Sequence, residues 1–143
     1  MKLYKILSYL KEYFLQDFPA SSDRSRNGLQ VEGALEVTKI TTAVDACLES
    51  FEKSVQEESQ LLLVHHGLFW GADLLIIGNH GKRISSLIKN DISLYAMHLP
   101  LDMHPMIGNN VLIAKALDLK VKNPFGNYNG LKIGVEAQTS RKM

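Results

Sequence analysis

Leu61-Leu62-Leu63-Val64-His65-His66-Gly67 is an apolar run that stops on two histidines and a glycine. Four apolar residues without polar alternation read as a strand buried on both faces, the habit of a parallel sheet. On either side the chain alternates strand and helix patterns. Lys39–Val44 is β-rich, and Asp45 is placed to cap a helix through Leu48, Phe51 and Val55. Downstream, residues 82–90 read as a helix and Ile92–Met97 as a further strand. Strands alternating with helices predict an α/β fold, with a mostly parallel or mixed sheet flanked by helices.

The remaining segments complete that pattern. Leu3, Ile6, Leu7, Leu10, Tyr13 and Phe14 fall on one side of a helix. Residues 18–28 form a loop ending in Asn27-Gly28, and Leu29–Gly33 reads as a short strand. Gly67 to His80 is irregular, and Asn109–Leu117 is an amphipathic helix. Leu119–Val121 is a strand candidate, Asn123 to Gly130 is turn-rich, and Leu131–Val135 is a last strand candidate. No repeat, low-complexity tract or linker interrupts residues 1–143, so a single domain is expected.

Bulk properties narrow the function classes. Hydrophobic residues make up 45% of the 143, enough for a core. Sixteen basic against 15 acidic residues leave a net charge of +1, which offers no general grip on nucleic acid or anionic membrane. The single cysteine, Cys47, cannot form an intrachain disulfide and reads as a small core residue. With no signal-peptide pattern and no apolar stretch long enough to span a bilayer, a cytoplasmic protein is expected. A Gly-x-Ser-x-Gly elbow, a phosphate-binding Gly-rich loop and a Cys-x-x-Cys pair are all absent.

All five histidines lie between His65 and His104. His65 and His66 close one predicted strand; His98 and Asp102 stand at and beyond the close of the next, Asp102 in a loop that Pro100 favours. Ligands of open α/β sheets bind beyond the carboxyl ends of strands, so the two groups face one crevice if these strands are parallel neighbours. Clustered imidazole and carboxylate is the composition of a metal site. Successive strand residues point to opposite faces. His65 and His66 therefore share an ion only if the strand breaks at His66, or each holds one ion of a pair bridged by Asp102. His80 and His104 read as loop and turn residues.

At these positions the sequence resembles the NIF-three-like family, also called GTP cyclohydrolase 1 type 2 homologues. The resemblance rests on Asn27–Gly33, Val64–Trp70, Tyr95–Pro105 and Gly108-Asn109-Asn110 with Leu112, Ala114 and Leu117. It implies a homohexamer with a dinuclear metal centre, for which His65, His66 and Asp102 are the ligands found here. His98 and His104 match positions near the site and are substrate-pocket candidates. The family's late Gly-His-x-x-Thr-Glu-like segment has no counterpart, which implies a NIF-three-like fold lacking its second lobe. Three ligands suit at most one divalent ion, Zn, Fe, Mn, Co or Ni. The implied activity is a metal-dependent hydrolase acting on a nucleotide or other small molecule. The alternative is a non-catalytic assembly protein with structural or vestigial metal.

Overall fold

A computed structural model describes residues 1–139. Four strands form a mixed sheet in the order β1-β4-β3-β2, from β1 (Gly28–Val31), β2 (Ile40–Asp45), β3 (Leu61–His66) and β4 (Ser93–Ala96). The apolar run sits inside this sheet. β3 pairs in parallel with both β2 and β4, and β1 runs antiparallel to β4 at the edge. Mixed pairing thus comes from the one strand that precedes the β-helix-β units.

Alternation along β3 explains why no polar residue interrupts it. Leu62 and Val64 pack with Phe51, Ile84 and Leu87 on one face of the sheet. Those three residues come from α2 (Leu48–Gln56) and α3 (Gly78–Lys89). Leu61, with Leu63 beside it, packs with Leu3, Leu10, Tyr95 and Met97 on the other face, under α1 (Leu3–Leu15). Leu61, Phe51, Leu87 and Leu94 are completely enclosed. At about 25 cal/mol per Å² of apolar surface, each such side chain contributes about 2 kcal/mol.

Beyond β4 the chain turns through a four-residue helix, α4 (Leu99–Asp102), and then α5 (Asn109–Ala116). A separate two-stranded ribbon follows, β5 (Leu119–Tyr128) and β6 (Leu131–Thr139), antiparallel and closed at Asn129-Gly130. Both turn residues have positive φ, 48° and 84°, which suits Asn-Gly in a tight hairpin.

Four expectations change. Residues 123–128 continue β5, because an antiparallel ribbon with a register shift between Val121 and Pro124 absorbs the proline. Asp102 lies on a short helix, not in a loop. His80 lies in α3, which starts earlier than its apolar periodicity suggests. Asp45 does not cap α2; it ends β2, and half-buried Cys47 takes the position ahead of the helix.

Candidate metal centre

The ladder between β3 and β4 ends at Val64 and Ala96, whereas that between β2 and β3 runs on to Asp45 and His66. His65 and His66 thus stand past the end of β4, at the mouth of the sheet. Their ring centroids lie 4.5 Å apart. His98, between β4 and α4, brings its ring to 5.0 Å from that of His65 and 5.7 Å from that of His66. One nitrogen from each of the three rings lies within 4.8 Å of the others. Asp102 reaches the same place, its Oδ2 3.5 Å from His65 Nε2. The two sequence clusters therefore meet, and the expected strand break is not needed: β3 runs on through His66 while the two rings converge.

Each ring is held by its Nδ1. That of His65 donates to the Met97 carbonyl at 2.9 Å, and that of His66 to Asp45 Oδ1 at 2.7 Å. His98 Nδ1 lies 2.9 and 3.1 Å from the two oxygens of Asp23. A carbonyl or an ionised carboxylate can only accept. The proton of each neutral ring therefore sits on Nδ1, and Nε2 carries the lone pair. This is the orientation that partners behind metal-bound histidines impose.

Asp23 is the most enclosed of these partners, with only 2% of its side chain exposed. Burial alone would raise its pKa, but hydrogen bonds from Asn27, His98, Ser25 and Leu99 outweigh that and hold it below the ordinary carboxylate value. Asn27 is held at both ends of its amide: its Nδ2 donates to Asp23, and its Oδ1 accepts from the His98 backbone N–H at 2.7 Å. Asp102 is oriented by Asn109, whose Nδ2 donates to Oδ1 at 2.6 Å.

Trp70, the single tryptophan, walls one side of the cluster. Its ring meets His98 edge to face at 4.9 Å and lies 5.9 Å from His66, while its Nε1 donates to the Gly67 carbonyl. The turn carrying Gly67 is clamped by Gln30 of β1. Gln30 Oε1 accepts from the Leu68 N–H at 2.7 Å, and its Nε2 donates to the Arg26 carbonyl at 2.7 Å.

His104 lies apart. It stacks on Tyr13 with centroids 4.8 Å apart, and its Nδ1 accepts from the backbone N–H groups of Met106 and Ile107. Desolvation lowers its pKa, so it stays neutral to lower pH than an ordinary histidine. It lines a cavity of about 280 Å³ between α1 and α4, together with Tyr13, Phe14 and Pro100. His80 packs edge-on against Phe69 at 5.4 Å. The sequence assigns Asp23, Asn27, Asp45 and Trp70 no individual role at the site. A carboxylate two residues before a serine, or one ending a strand, carries the same local signal as a turn or a cap.

The donor set fits a divalent transition metal: imidazole nitrogens with fixed lone pairs and one carboxylate.

Comparison with known proteins gives a consistent picture. The family model described as Duf34/NIF3 (NGG1p interacting factor 3) matches residues 1–143. A "GTP cyclohydrolase 1 type 2 homolog" of Pyrococcus horikoshii is 47% identical over 130 residues, covering 91% of this chain and 51% of that protein. One from Deinococcus radiodurans is 42% identical over 139 residues, covering 97% and 52%. The crystal structure of TTHA1606 from Thermus thermophilus superposes with a TM-score of 0.82 at 46% identity, covering 87% of this chain and 51% of that one. A Bacillus cereus protein related to NIF3 gives 0.77 at 26% identity, covering 90% and 35%. The chain spans about half the length of the curated relatives it matches. By sequence and by fold, the chain belongs to the Duf34/NIF3 family.

Proposed function

We propose that the chain holds a divalent transition-metal ion, Zn, Fe, Mn, Co or Ni, through His65, His66 and Asp102, with His98 as a fourth donor. We propose further that it is the metal-bearing part of a hydrolase acting on a nucleotide or other small molecule. The observation that carries the reading is the shared state of the three rings: each Nδ1 is engaged by an acceptor, which leaves each Nε2 as a lone-pair donor. The name borne by the curated relatives supports a nucleotide as the substrate class.

A bound ion of this kind supplies Lewis acidity and lowers the pKa of water at the site. The chain's own residues do the rest. Asp23, Asp45 and the Met97 carbonyl keep protons on Nδ1 and turn Nε2 toward the cluster. Asn109 occupies Asp102 Oδ1 and leaves Oδ2 beside His65. Trp70 excludes water from one wall. Two metals per subunit, the family arrangement, would require donors beyond these, because paired cations need several anionic ligands to offset their repulsion.

Metal content of protein prepared without a histidine tag and refolded with Zn²⁺, Mn²⁺ or Fe²⁺ tests the binding. About one ion per chain, falling severalfold in Asp102→Ala, is expected. Less than about a tenth of an ion per chain rejects the reading.

A second reading, a homo-oligomer (a hexamer by family resemblance) whose metal is structural, draws support from the surface. Leu75, Ile76 and Ile77 are 76%, 64% and 68% exposed in succession, more apolar surface than an isolated loop keeps in water. Light scattering gives the assembly state, and metal-dependent nucleotide turnover abolished by Asp102→Ala rejects the non-catalytic version.

A further inference from the structure

Among the described residues, the β5–β6 ribbon forms no ladder with the four-stranded sheet. It is nevertheless joined to the histidine cluster at two separate points, each by side-chain hydrogen bonds. At the first, Asn110 of α5 donates from one Nδ2 to two carbonyls, Ile133 of β6 at 2.6 Å and Asp102 at 3.0 Å. A single amide thus ties the residue that carries the cluster's carboxylate to a ribbon strand near its turn. At the second, the ribbon's turn meets the loop after α1 reciprocally. Ser22 Oγ donates to the Asn129 carbonyl at 3.1 Å, and Asn129 Nδ2 donates to the Ser22 carbonyl at 3.3 Å. The next residue is Asp23, which holds both the His98 ring and the Leu99 N–H at the start of α4.

We propose that the ribbon sets the position of two of the four donors, Asp102 through Asn110 and His98 through Ser22 and Asp23. Asn110, Ser22 and Asn129 are positioning residues: none touches the cluster, and each acts through a residue that does. The consequence is a coupling. A movement of the ribbon by a fraction of an ångström is passed to α4 from both sides, because α4 begins at the Asp23 bond and ends at Asp102. His65 and His66 are anchored at Nδ1 by Met97 and Asp45, outside this path. The ribbon's outer surface is exposed, with Phe125 59% accessible.

This inference rests on the metal reading above, and its test separates the two. The intact chain is compared with Asn110→Ala, which cuts the first tie, and with Ser22→Ala/Asn129→Gly, which cuts the second. Glycine is chosen at 129 because that residue's φ is 48°, a conformation glycine adopts without strain. Far-UV circular dichroism and urea midpoints establish that each variant is folded. Two readouts follow: the Co²⁺ dissociation constant, from quenching of Trp70 fluorescence, and the ¹H–¹⁵N ring spectrum of the histidines in metal-free protein. Asn110→Ala is expected to weaken Co²⁺ binding about tenfold or more. Ser22→Ala/Asn129→Gly is expected to move the His98 ring signals more than those of His65 and His66. Folded variants with affinities within about twofold of wild type and an unchanged His98 spectrum overturn the coupling. If the wild type binds no Co²⁺, the metal reading fails, and the ring spectrum of the metal-free variants still decides whether the ribbon positions His98.

Discussion

Gly67 follows the histidine pair directly, and its replacement by alanine has a calculable cost. Its φ is not among the positive ones, so alanine meets no backbone strain. The conflict is steric: a Cβ there would overlap the Gln30 carboxamide, lying 2.6 Å from its carbon. Gln30 is a flexible side chain and can swing away, but it then loses its bonds to the Leu68 N–H and the Arg26 carbonyl. Two hydrogen bonds at about 1 kcal/mol each put Gly67→Ala at about 2 kcal/mol. Gln30→Ala removes the same two bonds without any clash and should also cost about 2 kcal/mol. In the double variant the three carboxamide atoms nearest the new methyl are gone, so the cost stays near 2 kcal/mol instead of rising to about 4. Urea unfolding of all four proteins near neutral pH, with unchanged m-values, measures this directly. Costs that add to within about 0.5 kcal/mol would refute the clamp.

Other outcomes follow from single groups. Tyr95 is 2% exposed, and its hydroxyl has no partner among the described residues, while burial pushes its pKa up to about 12. Tyr95→Phe should therefore raise stability by about 1 kcal/mol in urea titrations; a loss of that size would show that the hydroxyl has a partner. Asp23 has a lowered folded pKa, so its stabilisation is complete above its unfolded value, about 3.9, and is lost as pH falls through the lower folded value. Asp23→Asn replaces the charged acceptor of the hydrogen bonds from Asn27, His98, Ser25 and Leu99 and should cost about 2 kcal/mol at neutral pH and flatten the acid limb of the stability profile; an unchanged limb would count against an ionised Asp23 as the common acceptor. His104→Ala should leave Co²⁺ affinity unchanged within about twofold, since the ring lies against Tyr13 and Phe14 and not in the cluster; a tenfold loss would contradict that placement.

The fold is largely legible because its centre is one long apolar statement. Leu61–Val64 has to be buried on both faces, and it is flanked by parallel strands on either side. The histidine pair and Asp102 are legible as a group because composition and strand ends coincide. What stays hidden is everything that holds the rings. Asp23 acts on a residue 75 positions away and Asp45 on one 21 positions away, and no local pattern distinguishes such a carboxylate from a turn or cap residue. His98 reads as a pocket residue, because the tautomer that frees its Nε2 is fixed by Asp23. The ribbon is obscured by Pro124 and Gly126, which break a central strand but not an exposed two-stranded one.

The sharpest test uses Trp70 as its reporter, since the only tryptophan sits 4.9 Å from His98 and 5.9 Å from His66. A paramagnetic ion in the cluster must quench it. Titration with Co²⁺ is predicted to give saturable quenching at about one ion per chain, abolished in His65→Ala and in His98→Ala while both variants remain folded. Fluorescence that stays flat, or quenching that persists unchanged in both variants, would contradict a metal centre built on these rings.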